Sequence, residues 1–167
     1  MADWFRRQSK NINTNFKRDT LEGSWVKCPS CGIMLYKKVL VENFYVCNDC
    51  QYHFRIKSSD YINLLIDNSD YDEFNANLYS SDPLNFSIPK KYTEQIENAK
   101  KKTNKNDAVI TLQGKIFGES VILGVMDFSF IGGSMGSVVG QKISDAIVRA
   151  DNSSLPLIIV AASGGAR

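Results

Sequence analysis

Cys28, Cys31, Cys47 and Cys50 form the pattern C-x2-C-x15-C-x2-C, and no other feature of the chain restricts its fold so tightly. Two residues between paired cysteines let one tight turn aim both sulfurs at a single ion. In CPSCG a proline starts that turn and a glycine finishes it. Four thiolates fill a tetrahedral shell and leave no position for water or substrate, so the expected occupant is one structural zinc ion. A stretch of about 35 residues buries too little apolar surface to fold unaided. Metal binding of about 10–16 kcal/mol is its expected source of stability. The alternative is a redox dithiol, but a thioredoxin-like C-x-x-C sits singly at a helix start, whereas here two pairs bracket a β-rich segment. His53 is the only histidine. With four sulfurs saturating the ion, it is expected to pack beside the site rather than to ligate or act as a base.

The rest of the chain divides by texture. Residues 1–22 mix polar and basic types and read as a flexible basic arm. Residues 23–57 are the zinc module, in which the runs MLYKKVLV and NFYVC, separated by a turn at Glu42 and Asn43, predict a small hairpin. Residues 58–106 read as a helical connector. Ser58 or Ser59 can cap a first helix with Ile62, Leu65 and Ile66 on one face. The proline-marked stretch SSDPLNFSIP follows, then a mostly polar, lysine-rich helix. From Asp107 to Arg167 the pattern is strand, strand, glycine loop, amphipathic helix, apolar strand, glycine loop, the start of a layered α/β domain. Val139, Ile143, Ala146, Ile147 and Ala150 make the expected buried stripe of the helix. The continuous run LPLIIVAAS predicts a strand covered on both faces.

Charge is segmented more than its sum of +2 implies: residues 58–89 carry six acidic and no basic side chains, residues 90–106 six basic and two acidic. The basic front of the chain, with Phe44, Tyr45, Tyr52 and Phe54 among Lys37, Lys38, Arg55 and Lys57, fits nucleic acid as well as a solvated surface, and the solvated surface is the simpler reading. No run approaches the roughly 18 apolar residues of a membrane span. The N-terminus lacks the apolar core of an export signal, so a soluble cytoplasmic protein is expected, in which reduced cysteines serve a metal rather than disulfides.

Two glycine loops remain, FIGGSMGS before the helix and AASGGAR after the last strand. Consecutive glycines remove the Cβ atoms that keep a ligand from backbone N–H groups, and a following helix adds its positive end. Neither loop has a nucleotide fingerprint. Ser163 lacks the G-x-S-x-G context, and the one histidine lies in the zinc module, so no hydrolase triad is supported. Any chemistry here is expected to rest on backbone hydrogen bonds and a cofactor.

In this order WVKCPSCG, YVCNDCQYHFRI, DPLNF, FSFIGGSMGSVVGQKI and SGGAR closely resemble the β subunits of bacterial acetyl-CoA carboxylase carboxyltransferases, from about Trp25 to Arg167. The resemblance implies a four-cysteine zinc ribbon ahead of an α/β domain of the crotonase type, a spiral of stacked ββα turns. It implies transfer of a carboxyl group from carboxybiotin, on the biotin carboxyl carrier protein, to acetyl-CoA, giving malonyl-CoA for fatty acid synthesis. An α subunit completing an α2β2 assembly, biotin carboxylase and ATP binding belong to the same implied system. Gly164 and Gly165 become oxyanion-hole candidates. Gly132, Gly133, Ser134, Met135 and Gly136 are expected to shape the acyl-CoA pocket, helped by the helix from Ser137. Family members continue beyond SGGAR, so the chain reads as the first part of such a subunit, its crotonase-type domain incomplete at residues 107–167 and inactive alone. Two alternatives stand beside this: a carboxyltransferase or decarboxylase for another acyl-CoA, and a zinc-ribbon module that binds RNA or DNA.

Overall fold

The computed structural model describes residues 24–87 and 89–167, so the basic arm expected over residues 1–22 lies outside the described residues. The described residues fall into two compact units, one ending at Arg55 and the other Ile56–Arg167.

In the first unit, strand β1 (Trp25–Lys27) pairs antiparallel with β2 (Met34–Tyr36), Val26 opposite Leu35. The first cysteine pair sits in the turn between them. The Cys28 N–H donates to Ile33 O at 2.9 Å and the Gly32 N–H to Cys28 O at 2.9 Å. The second pair repeats the same two bonds in the same register: Cys47 N–H to Tyr52 O at 2.8 Å and Gln51 N–H to Cys47 O at 3.0 Å. Gly32 lies at φ +78°, and Gln51 holds the equivalent position at φ +60°.

Between the pairs the expected hairpin of MLYKKVLV and NFYVC is not found. Residues Lys37–Glu42 form helix α1, with Leu40 alone buried. The reason is geometric. Eight residues of strand would carry the chain about 26 Å one way, whereas six helical residues advance it only about 9 Å. Phe44 and Tyr45, at φ +53° and +61°, then turn the chain back so that its second cysteine pair reaches the first. The requirement of the cluster overrides the β preference of Val39 and Val41.

The second unit is a four-stranded sheet in the order β3-β4-β5-β6. Strand β4 (Val109–Ile116) and β5 (Glu119–Met126) form an antiparallel hairpin. Its two-residue turn, Phe117 and Gly118, has φ of +51° and +84°, the left-handed pair that matches strand twist. The Asp67 carboxylate accepts from both turn amides, at 3.1 and 2.7 Å. Strand β5 is buried on both faces: Val121, Leu123 and Val125 pack with Ile62 of helix α2 (Ser58–Leu65) and with Ile66 just after it, while Ile122 packs with Ala146 and Ala150 of helix α4 (Ser137–Ser153). Helix α3 (Tyr92–Thr103) adds Ile96 and Ala99 to a cluster with Phe130 and Val139.

Four expectations change here. Ser58 does not cap α2; its buried hydroxyl donates to Asp127, and the Lys57 N–H donates instead to Asp60 at 3.3 Å. Residues 58–106 are more than a helical connector, because they supply strand β3 (Tyr71–Phe74), antiparallel to β4. As an acidic, mostly exposed edge strand, YDEF lacks the apolar alternation that marks a strand in sequence. In α4 the buried stripe runs Val139, Lys142, Ala146, Ala150, while Ile147 is 51% exposed. Strand β6 (Leu157–Val160), parallel to β5, forms the other edge of the sheet among the described residues, with Ile158 and Ile159 39% and 38% exposed rather than covered. Among the described residues no helix is long and apolar enough to cross a membrane.

Candidate functional site

The four cysteine sulfurs lie within 4.8 Å of one another. Cys28 and Cys50 are 3.6 Å apart and Cys31 and Cys47 3.8 Å. A tetrahedron with metal–sulfur bonds of about 2.3 Å has edges of about 3.8 Å, so the cluster already has the size of a closed four-thiolate site. The thiols conflict electrostatically. Although the Ile33 N–H favours its thiolate, desolvation and the three neighbouring sulfurs push Cys31 up to about 12. At Cys50 desolvation acts upward, but the Tyr52 N–H and the Ser30 hydroxyl bring it down to about 6. Bound divalent metal removes that conflict by favouring thiolate at every position. His53 is no part of the cluster; it is exposed, paired through its backbone with Val46.

The two glycine loops, far apart in sequence, are fastened together. The Gly164 N–H donates to Gly132 O, the Met135 N–H to Gly165 O and the Arg167 N–H to Met135 O, each at 2.9 Å. Gly133, at φ +65°, is buried under this seam, and a Cβ there would stand 1.9 Å from the Ala162 carbonyl oxygen. No side chain fits that position. The expected pair of open amides at Gly164 and Gly165 is therefore not what the loop presents: the Gly164 N–H is committed to the seam, and the Gly165 N–H donates to the Ser163 hydroxyl at 3.0 Å. The two bonds differ in kind. One holds loops together, and the other is local to an exposed turn, where the same hydroxyl also donates to Gly165 O at 3.1 Å.

Arg167 locks the seam from behind. Its Nη2 donates to both oxygens of Asp107, at 2.8 and 2.9 Å, its Nη1 to Ser134 O at 2.9 Å, and its Nε to the Tyr92 hydroxyl at 2.9 Å. Asp107 is fully buried and also accepts from Ser80 at 2.8 Å. The guanidinium lies against Gly136, where a Cβ would come within 2.8 Å of Nε. It thereby fills the space beside the first turn of α4, where the sequence pattern places a ligand. Ser134 serves as its acceptor, and Met135 is the exposed member of the loop. Sequence reasoning recorded SGGAR as a motif but missed the roles of Arg167, Asp107, Tyr92 and Ser80.

A second buried carboxylate anchors the loop ahead of Gly132. Asp127 accepts from the Ser58 N–H at 3.1 Å and hydroxyl at 2.8 Å, from the Ser129 N–H at 2.8 Å, and from Lys105. Burial alone would raise its pKa, but Lys105 and the hydroxyls of Ser129 and Ser58 hold it well below the usual carboxylate range. Lys142 is buried too and donates to Val109 O at 3.2 Å. Burial holds its amine below the ordinary lysine range despite Glu73 and Asp107 nearby.

Residues 25–50 match the acetyl-CoA carboxylase zinc finger domain and residues 86–167 the carboxyl transferase domain. The acetyl-coenzyme A carboxylase carboxyl transferase subunit beta of Prosthecochloris aestuarii is 47% identical over 164 residues, covering 98% of this chain and 59% of the relative. That of Chlorobium phaeobacteroides is 46% identical with the same coverage. Among solved structures, transcarboxylase 12S with methylmalonyl-coenzyme A and methylmalonic acid bound superposes with a TM-score of 0.55 and 25% identity over 68% of this chain and 20% of that one. The chain spans 59% of the length of these curated relatives. A zinc ribbon followed by a crotonase-type ββα unit, β4-β5-α4 leading into parallel β6, is the fold class that the motifs predicted.

Proposed function

We propose, for a chain that belongs to the β-subunit family of acetyl-CoA carboxylase carboxyl transferases, that its joined glycine loops form one wall of a site for carboxyl transfer to acetyl-CoA. The observation that carries this reading is the seam itself: three backbone hydrogen bonds tie Gly132–Met135 to Gly164–Arg167 and leave Gly165 at the exposed edge. Carboxyl transfer breaks the N–carboxyl bond of carboxybiotin, moves a proton from the acetyl methyl group to the biotin nitrogen so freed, places negative charge on the thioester oxygen in passing, and forms a carbon–carbon bond between the methyl carbon and the released carboxyl group. Malonyl-CoA results. A fixed N–H donor aimed at that oxygen stabilises the charge as it develops. Gly165 is the donor best placed to do so, since its N–H needs only to leave the Ser163 hydroxyl. Gly164 then acts as the strut that holds the loop, and its donor role requires the seam to open. Gly132, Gly133, Ser134, Met135 and Gly136 shape the acyl-CoA side, with Met135 facing outward.

Cys28, Cys31, Cys47 and Cys50 hold one zinc ion, which closes the ribbon and takes no part in the transfer. The α subunit in an α2β2 assembly, the biotin carboxyl carrier protein and biotin carboxylase complete the reaction, in the cytoplasm and in service of fatty acid synthesis. A different acyl-CoA is the nearest variant of this reading. Ser163→Ala separates the roles at the loop. In the complete enzyme, malonyl-CoA formation is expected to be retained or raised, because a competing acceptor is gone; a loss of about a thousandfold or more would mark Ser163 as a nucleophile and overturn the backbone-donor reading.

A second reading, nucleic-acid binding, is favoured by one observation on the ribbon: Trp25 and Phe44 are 60% and 67% exposed. Tyr45 and Phe54 are partly buried, which leaves fewer stacking faces than the sequence implied. Titration of the chain with single-stranded RNA at several salt concentrations tests it, with phosphate contact requiring an affinity that falls as salt rises.

A further inference from the structure

Two adjacent glycines cannot hold an amide still by themselves. Gly164 and Gly165 have no side chain to pack, and Gly165 lies at φ +141°, where glycine moves freely. A donor that stabilises developing charge must be fixed in direction before the charge appears. Whatever aims the Gly165 N–H therefore lies outside the glycine pair.

The seam supplies an anchor on each side. Before Gly165, the Gly164 N–H is held by Gly132 O; after it, Gly165 O accepts from the Met135 N–H and the Arg167 N–H donates to Met135 O. The Gly165 N–H takes no part in this ladder, its partner being the Ser163 hydroxyl. The plane of its peptide is thus set by its neighbours, and the anchor after it depends on Arg167.

The Arg167 side chain reinforces that anchor. Nη1 donates to Ser134 O at 2.9 Å and to the Ser134 hydroxyl at 3.1 Å, so one residue grips the facing loop by main chain and side chain at once. Nε reaches the Tyr92 hydroxyl, and Nη2 both oxygens of Asp107. The guanidinium also faces the rings of Phe130 and Tyr92, 5.6 and 6.0 Å from their centres. A planar fork held in three directions has little freedom to turn.

Asp107 ties the fork to the core. It stands just ahead of β4, where Ala108 and Val109 are buried, and its carboxylate also accepts from the Ala108 N–H at 2.7 Å. Ala108 O in turn accepts from the Asp127 N–H at 2.7 Å, just after β5. Both glycine loops are in this way referenced to one buried end of the β4–β5 hairpin. We infer that Arg167, oriented by Asp107, is a positioning residue for carboxyl transfer, acting by aiming the Gly165 N–H. The inference rests on the carboxyl-transfer reading for its reaction, and on the contacts of the guanidinium for its route.

Kinetics and urea unfolding of the complete enzyme carrying Arg167→Lys, Arg167→Met or Leu123→Ala separate aim from stability. Lysine keeps a cation beside Asp107 but lacks the fork that serves Ser134 O and the Tyr92 hydroxyl together. Arg167→Lys is therefore expected to be more stable than Arg167→Met, yet to share its fall in kcat of about a hundredfold with KM little changed. Leu123→Ala, a core truncation, is expected to lose stability and keep its kcat. The decisive step repeats Arg167→Lys with the Gly165 N–H replaced by an ester oxygen; both changes lie within SGGAR, so one synthetic peptide carries them. With the donor gone there is nothing to aim, and the substitution is expected to lower kcat little further. Wild-type kcat in Arg167→Lys overturns the inference and leaves the donor reading standing. So does a loss that persists undiminished in the ester enzyme, or an equal loss in Leu123→Ala, which makes stability the cause. An ester enzyme with unchanged kcat overturns the donor reading itself, and the aiming role with it.

Discussion

The two units of this chain are held together by different physics. In residues 24–55 the buried apolar side chains are Leu40 and the cysteines Cys28 and Cys47 themselves, while Trp25, Ile33, Met34 and Phe44 stay exposed. In residues 56–167 a two-faced strand, β5, is packed between α2 and α4, and two buried carboxylates fix the loops that leave the sheet. The ribbon thus has a cluster in place of a core, and the sheet unit has a core that leaves its loops free to be tuned. The lesson is about where each can be damaged.

The largest expected effect is loss of the metal. Chelation removes about 10–16 kcal/mol from the ribbon, and its dispersed amide signals are expected to collapse while those of residues 56–167 persist. Collapse of both sets would show that the units do not fold independently. Next comes the Arg167–Asp107 pair, whose side chains are 10% and 0% exposed. Arg167→Met strands a buried carboxylate and is expected to destabilise the sheet unit by about 3–5 kcal/mol in urea, with Asp107→Asn in the same chain restoring part of it. A core truncation, Leu123→Ala, is expected to lose about 2–5 kcal/mol from the same unit and to leave metal affinity unchanged.

The smallest effect is electrostatic. Asp127 has a folded pKa depressed below its unfolded value, so its contribution is present above about pH 4 and is lost as pH falls through the folded value. Thermal unfolding followed from pH 6 downward is expected to show an acid limb in the sheet unit. In Asp127→Asn that limb should be reduced.

What the sequence disclosed follows the same division. Cysteine spacing was enough to predict the cluster, because a two-residue gap and a tight turn leave little other geometry. It was not enough to predict α1, since Val39 and Val41 favour strand and only the return path of the chain makes Lys37–Glu42 helical. The β4–β5 hairpin was readable from its alternation and from Gly118, whereas β3 was hidden in an acidic edge. The glycine loops were visible, but their partners were not: Arg167 and Asp107 lie 60 residues apart, and nothing local in either marks a buried pair. Lys142 was likewise passed over, because a lysine in an apolar stripe reads as a break in it until Val109 O is seen to accept a hydrogen bond from its amine.

The same limit applied to the amides. Paired glycines announce exposed N–H groups, yet the Gly164 donor is spent on Gly132, which only the folded loops could reveal. The most direct measurement is the rate of malonyl-CoA formation by the complete enzyme after the Gly165 N–H alone is replaced by an ester oxygen through semisynthesis. A fall in kcat of about a hundredfold to a thousandfold with KM little changed is expected of a donor used in the transition state. An unchanged kcat would contradict the role given to Gly165.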